Sequence, residues 1–189
     1  MVLKGFAKSR EQANSILMTG NVFAENKRVE KPGQQVLKNS KIEIKGKTYP
    51  WVSRGGVKLN KAILEFNLDC NSITALDVGA STGGFTDVLL ANGASKIYAV
   101  DVGYGQLDWK LRQDERVIVK EKTNARYLTE KIIKDPLDAL VCDASFISLK
   151  KVLPSGLRLL KSHHGWLVAL IKPQFEVGKG LVGKGGVVK

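Results

Sequence analysis

Asp77-Val78-Gly79-Ala80-Ser81-Thr82-Gly83-Gly84-Phe85-Thr86-Asp87 is the stretch on which the fold turns. A β-rich run, Ile73 to Val78, enters it and an amphipathic run leaves it, so the chain passes from strand to helix through glycines at 79, 83 and 84. Glycine accepts positive φ and lets backbone approach a ligand closely, and an Asp ending a strand can accept a hydrogen bond from a ligand amine. Ile97 to Val100 reads as the next strand, with Asp101 at its C-terminal end, where doubly wound folds carry the carboxylate that grips ribose hydroxyls. Together these residues predict a cradle for an adenosine derivative.

The glycine spacing narrows the ligand. A Gly-x-Gly-x-x-Gly dinucleotide fingerprint needs glycine at 79, 81 and 84, but residue 81 is Ser. The Asp-x-Gly-x-x-x-Gly pattern of 77, 79 and 83 instead resembles the first motif of S-adenosylmethionine-dependent methyltransferases, whose cofactor has no pyrophosphate.

Working outward, Ser53-Arg54-Gly55-Gly56-Val57-Lys58-Leu59 opens a helix with Leu59, Ala62, Ile63 and Phe66 on one face and Lys58 off it. Downstream, Val117 to Val119 reads as a strand, Thr123 to Arg126 as a polar loop and Leu137 to Cys142 as a strand ending in Asp143. Ile147 to Leu160 reads as a helix interrupted at Pro154, and Leu167 to Ile171 as an apolar strand ending in Lys172. This alternation predicts a doubly wound parallel sheet in which Asp77, Asp101, Asp143 and Lys172 converge at the strand C-termini. Leu167 to Ile171 is continuously apolar, the mark of a strand paired on both sides, so the native chain is expected to continue past Lys189 by about 40 residues.

The chain has 189 residues, 43% of them hydrophobic, enough for an ordinary domain and a small module. It has no run approaching a membrane span and no signal-peptide apolar region near Met1, which points to the cytoplasm. Cys70 and Cys142 read as reduced core thiols, and the adjacent His163 and His164 as a solvated loop, so no metal is expected. Net charge is +12, and residues 1 to 60 hold 12 basic and 4 acidic side chains. Such an N-terminal field favours a polyanion.

Ser9 to Gln12 has the form of a capping box, and Ala13, Ile16, Leu17 and Gly20 give the following helix a narrow apolar stripe. Val22-Phe23, Val29, Val36 and Ile42 to Ile44 read as short strand pieces. Lys8 to Ala13, Gly20-Asn21-Val22 and Val29 to Gly33 resemble an S4 RNA-binding domain, a small α+β module. The resemblance implies RNA contacts from Lys8, Ser9, Arg10, Lys27, Arg28 and Lys31. The expected organisation is an S4-like domain over 1–48, a linker over 49–52 and an α/β Rossmann-like methyltransferase domain over 53–189, incomplete at its C-terminus.

Six ordered motifs make the resemblance specific: Ser53 to Leu59, Asp77 to Asp87, Asp101 to Leu107, Thr123 to Arg126, Cys142 to Leu149 and Leu170 to Glu176. They resemble the TlyA or hemolysin-A-like family, an S4 domain fused to an FtsJ-like ribosomal RNA 2′-O-methyltransferase. Membership implies S-adenosyl-L-methionine bound by Asp77, Gly79, Ser81, Gly83, Gly84, Phe85, Asp101 and Asn124. It implies ribosomal RNA or a ribosomal subunit as partner, with Arg54 also on the RNA, and neither membrane nor metal. Of the class's Lys-Asp-Lys-Glu catalytic set, Lys58, Asp143 and Lys172 carry over, with Lys172 as base; the Glu has no counterpart up to Lys189. Asp143-Ala144-Ser145 lacks the Pro-Pro-aromatic mark of base-amino methylation, and Cys142 points to the opposite strand face from Asp143. Two other classes stay open: an RNA-binding assembly protein without turnover, and a membrane-active hemolysin.

Overall fold

Helix α1 (Arg10–Met18) begins on the carbonyl of Ser9, which accepts from the Ala13 amide at 3.0 Å. Gly20, at φ +72°, then turns the chain into a small antiparallel sheet. Its centre is β1 (Val22–Ala24), flanked by β2 (Lys27–Arg28) and β3 (Ile42–Ile44). Val22, Ala24 and Val29 form a small core against Ile16, Leu17, Ile42 and Ile44. Val36 is no strand: it is exposed in an irregular stretch past the Pro32-Gly33 turn, where no apolar alternation follows to pair it. The structure, a computed structural model, describes residues 1–7, 9–18, 20–45 and 49–188. Lys8, the last three residues of the expected 1–48 domain and the Gln12 side chain of the expected capping box lie outside that description. The chain divides into two units, residues 1–50 and 51–189.

In the second unit a parallel five-stranded sheet has the order β6-β5-β4-β7-β8. Its strands are β4 (Thr74–Val78), β5 (Lys96–Val100), β6 (Val117–Lys120), β7 (Ala139–Cys142) and β8 (Trp166–Ala169). The two-residue period of the strands sorts their side chains. Ala75, Ile97, Ala99, Ala139 and Val141 face the core built with Leu59, Ile63, Phe85, Val88 and Leu89. These last come from α2 (Gly55–Phe66) and α3 (Gly84–Ala91), and a short α4 (Trp109–Arg112) lies between β5 and β6. Leu76, Val78, Tyr98, Val100, Leu140 and Cys142 face the other core, with Val152 of α5 (Leu149–Leu157). The chain winds outward from β4 through β5 to β6, then returns to the other side of β4 with β7 and β8. The reversal leaves a crevice at the strand C-termini between β4 and β7, where ligands bind in open α/β sheets.

Some expectations need correction. Phe66 is exposed, because α2 closes there on Asn67, in a left-handed conformation at φ 50°. Pro154 does not interrupt α5: it lies on the exposed side, so the carbonyl four residues back, on exposed Lys150, loses its helix partner where water can replace it. Leu137 stands outside β7, as a single bridge to Leu160. Among the described residues β8 pairs only with β7; Leu167 on it and Ile171 just past it are exposed, which leaves open the expected pairing on its other side in a longer chain.

Candidate active site

The glycine-rich turn is tied down by the strand ends around it. Gly79 and Ala80 both donate to the carbonyl of Val100, at 2.9 and 3.1 Å. Asp101 receives the Ser81 amide on one carboxylate oxygen at 2.8 Å and the Gly103 amide on the other at 2.7 Å. It therefore fastens the loops after β4 and β5 to each other while still lining the crevice.

At Gly83 and Gly84 the space a side chain would take is filled by protein. A methyl group on Gly83, at φ +92°, would stand 2.2 Å from Leu111 Cδ1. One on Gly84 would stand 2.3 Å from Ser53 Oγ and 2.9 Å from the Gly56 nitrogen, so the α3 N-terminus packs directly on that of α2. Gly84→Ala is expected to destabilise the unit by about 1–3 kcal/mol through overpacking against backbone. Gly180→Ala, with nothing within 4 Å, is the control. Thermal unfolding of the two variants checks this: equal melting temperatures would contradict the packing argument.

Asp77 is fully buried, so it meets the crevice only from beneath. Its Oδ2 accepts from the Thr86 amide at 3.0 Å and from Thr86 Oγ1 at 2.7 Å, closing the turn from strand to helix, whereas Oδ1 has no partner. Burial raises this carboxyl to about 7; the Thr86 hydrogen bonds oppose the rise, and the charges of Asp143 and Asp101 add to it. Cys142, on the opposite strand face, is a buried thiol pushed up to about 11, chiefly by desolvation, as is Cys70. Neither has the character of a nucleophile.

Two cavities open on the crevice. One of about 390 Å³ is lined by Val78, Asp101, Gln106, Asn124, Ala125 and Phe146 among others; the second, about 590 Å³, by Ser53, Arg54, Lys58, Phe85, Thr82 and Lys172. Gly79, Ser81, Asp143 and Ser145 belong to both, so the cavities meet at those four residues. Asn124 is held by its own turn, its side-chain oxygen accepting from the Arg126 amide at 3.1 Å.

The charged centre lies at that junction. Lys58, in the first turn of α2, donates to Asp143 Oδ2 at 2.9 Å. Lys172, just after β8, brings Nζ to 2.7 Å from Asp143 Oδ1. This second contact is an ion pair without hydrogen-bond alignment. The Lys172 protons go instead to Ser145 Oγ at 2.7 Å and the Asp143 carbonyl at 3.1 Å, leaving Oδ1 a buried acceptor with no hydrogen bond. Asp143 and Lys172 side chains are only 19% and 20% exposed against 48% for Lys58, so the Lys172 contact is the more desolvated. Three residues far apart in sequence thus converge. Ser145 was not singled out from sequence; its position two residues after Asp143, with Cys142 pointing away, was the available signal.

Of the proposed RNA contacts outside Lys8, Arg10, Lys27, Lys31 and Arg54 are exposed, and Ser9 is half-buried. Arg28 is exposed but lays its guanidinium over Gly20, where a methyl group would strike Nη2.

A family model described as FtsJ-like methyltransferase matches residues 51–189. The chain is 47% identical over 189 residues to the 16S/23S rRNA (cytidine-2′-O)-methyltransferase TlyA of Mycobacterium tuberculosis, across the whole chain and 70% of that protein. The chain belongs to the TlyA family of FtsJ-like methyltransferases. Hemolysin A of Brachyspira hyodysenteriae, another relative, is 41% identical over 98% of this chain and 77% of its own length. A solved structure of a hemolysin-named protein from Streptococcus thermophilus superposes with a TM-score of 0.76 at 44% identity, covering 99% of this chain and 68% of that one. The TlyA relatives thus extend the likeness beyond the catalytic unit to the N-terminal fifty residues. As to the hemolysin name, no helix among the described residues is long and apolar enough to cross a membrane.

Proposed function

We propose that this chain transfers a methyl group from S-adenosylmethionine to the ribose 2′-hydroxyl of a cytidine in ribosomal RNA, with Lys172 as base. The observation that carries the reading is the Lys58–Asp143–Lys172 centre, set where the two cavities meet. The name of the Mycobacterium tuberculosis relative supports the acceptor.

The residues fit a cationic adenosine cofactor. Asp77 and Asp143 each carry a buried carboxylate oxygen with no hydrogen bond, and Asp101 borders a cavity of about 390 Å³, within the size range of small-molecule sites. When bound, the cofactor would supply an electrophilic methyl group on a positively charged sulfur. Asp101 would take the ribose hydroxyls, Asn124 and the Gly79–Ser81 backbone would border the adenosine, and Phe85 would wall the acceptor side.

Transfer to a hydroxyl needs alignment and removal of a proton. Lys172 first releases one ammonium proton to solvent, and its Nζ lone pair then takes the proton from the hydroxyl. Ionised Asp143 holds both lysine nitrogens in place, and Lys58 balances its charge. Incubation with ribosomal subunits and radiolabelled S-adenosylmethionine, followed by mapping of ribose methylation, tests the reading. RNA binding without incorporation would favour the assembly-protein alternative, and tighter binding of NAD than of S-adenosylmethionine would remove the cofactor assignment.

Residues 1–48 are read as an S4-like RNA-binding module, joined through 49–52 to the catalytic domain of 53–189. The basic excess of the N-terminal third and the exposure of Arg10, Lys27 and Lys31 support this. Neutralising these three cations should weaken binding to ribosomal RNA and flatten its dependence on salt, by about 0.7–0.9 in log–log slope per lost phosphate contact. Filter binding at several salt concentrations measures it; an unchanged slope would make this face a solubility feature.

A further inference from the structure

Lys172 stands in an irregular segment three residues past β8, and a base carried there needs something to hold it. What holds it is a second segment, residues 145–149, running from the loop after β7 into the first residue of α5. That segment is not at rest by itself: Phe146 has φ +64°, a left-handed conformation that costs an aromatic residue energy unless its surroundings impose it. Three contacts supply the constraint, and all come from the residues at or just after Lys172.

Lys172 Nζ donates to Ser145 Oγ at 2.7 Å. The Phe146 and Phe175 rings meet with centroids 5.1 Å apart. Glu176 closes the series: one carboxylate oxygen accepts from Ser148 Oγ at 2.6 Å and the other from the Leu149 amide at 2.8 Å. Ser148 is at the same time the N-cap of α5, its hydroxyl accepting from the Lys150 amide at 3.2 Å. Glu176 therefore ties the 172–176 turn to the first turn of a nine-residue helix packed by one face on the core. A carboxylate at a helix N-terminus is favoured there by the unpaired amides and their dipoles, and these hydrogen bonds hold its carboxyl below the usual range.

We propose that Glu176 is a positioning residue for methyl transfer: by clasping residues 172–176 to the start of α5 it fixes where Lys172 Nζ stands over Asp143 and Ser145. It touches neither cavity, so its action runs through Lys172. The inference rests on the reading of Lys172 as base given above. The competing role, plain stabilisation of α5, would change the melting temperature without changing turnover of the folded enzyme.

The test is single-turnover methylation of ribosomal RNA well below the melting temperature, with S-adenosylmethionine affinity measured alongside. Glu176→Ala should slow turnover tenfold to a hundredfold, the scale of a misplacement near 1 Å, at unchanged cofactor affinity. Glu176→Gln should remain within about threefold of wild type, since its amide oxygen still accepts from Leu149 and its amide nitrogen can donate to Ser148. Glu176→Asp, one methylene short, should behave as the Ala variant does. Unchanged turnover in Glu176→Ala, or equal losses in the Gln and Ala variants, overturns the proposal. If the Ala variant does not fold, full activity in Glu176→Asp overturns it instead.

Lys172→Ala assayed in parallel keeps the two ideas apart. If the wild type transfers no methyl, or Lys172→Ala still does, it is the base assignment that fails. The clasp is then judged by amide hydrogen exchange at Leu149 and in residues 170–176. Glu176→Ala should speed both, and unchanged rates would dispose of the clasp as well.

Discussion

Lys172→Ala should lower the rate of methyl transfer by 10²–10⁴-fold while leaving S-adenosylmethionine affinity and the melting temperature close to wild type. The range is that of a positioned general base. Little else about the substitution is costly: it removes a side chain that reaches across the crevice to Asp143 and Ser145 and packs no core position. Asp143 keeps Lys58 as a partner at 2.9 Å, so no unpaired carboxylate is left behind. Lys172→Arg is the sharper control. It keeps the charge beside Asp143 but cannot give up its proton in the working pH range, and so should fall to the level of the Ala variant. Pre-steady-state incorporation of radiolabelled methyl groups measures both. A Lys172→Arg enzyme with wild-type turnover would show that charge alone, without proton removal, is what this position supplies.

Asp143→Ala should behave differently, and the contrast tests the geometry. Removing this carboxylate leaves two ammonium groups facing one place with nothing between them. Activity should fall at least as far as in Lys172→Ala, accompanied by a drop in melting temperature that Lys172→Ala does not show.

Part of this centre was legible in the chain because Asp143 and Lys172 follow strands, whereas Lys58, in the first turn of α2, was reached only through the family resemblance. Strand ends can be read from short apolar runs that stop at a charge: Val78 after Asp77, Val100 before Asp101, Cys142 before Asp143, Ile171 before Lys172. A doubly wound topology gathers such ends at one edge whatever their separation in sequence. What could not be read was which side of the turn each group faces. Asp77 shares the two-residue period of Ala75, and so points into the α3 side of the sheet. Nor could it be read that the space a side chain would need is filled at Gly83 by Leu111 and Leu107, and at Gly84 by the start of α2, some 28 residues upstream. Contacts such as Ser148 with Glu176 join residues 28 apart, one in an irregular segment and one in a four-residue helix, too short for any periodicity to reveal them.

The affinity of the chain for S-adenosylmethionine should rise as pH rises toward 7 and then level off, because of Asp77. Its carboxyl stands at about 7 in the folded protein against 3.8 ordinarily, and burial is the main cause. The fold therefore favours the protonated acid. The contribution of Asp77 to stability is greatest below the ordinary carboxylate range and is lost as pH rises through 7, by a total on the order of 4 kcal/mol. A positively charged ligand above the turn reverses that preference, because it favours the ionised form whose Oδ1 has no protein partner. Below pH 7 the ligand must expel a proton to bind, so affinity should fall by up to about tenfold for each unit of pH, and above 7 that linkage disappears. Asp77→Asn cannot ionise; it should bind the cofactor more weakly at pH 8 and lose most of the pH dependence between 5.5 and 7. Calorimetry in two buffers of different ionisation enthalpy reads the proton directly: release on binding at pH 6 by the wild type, and much less by Asp77→Asn. Equal proton release by the two proteins would assign the titration to the ligand or to another carboxylate, and would leave Asp77 only its part in closing the turn.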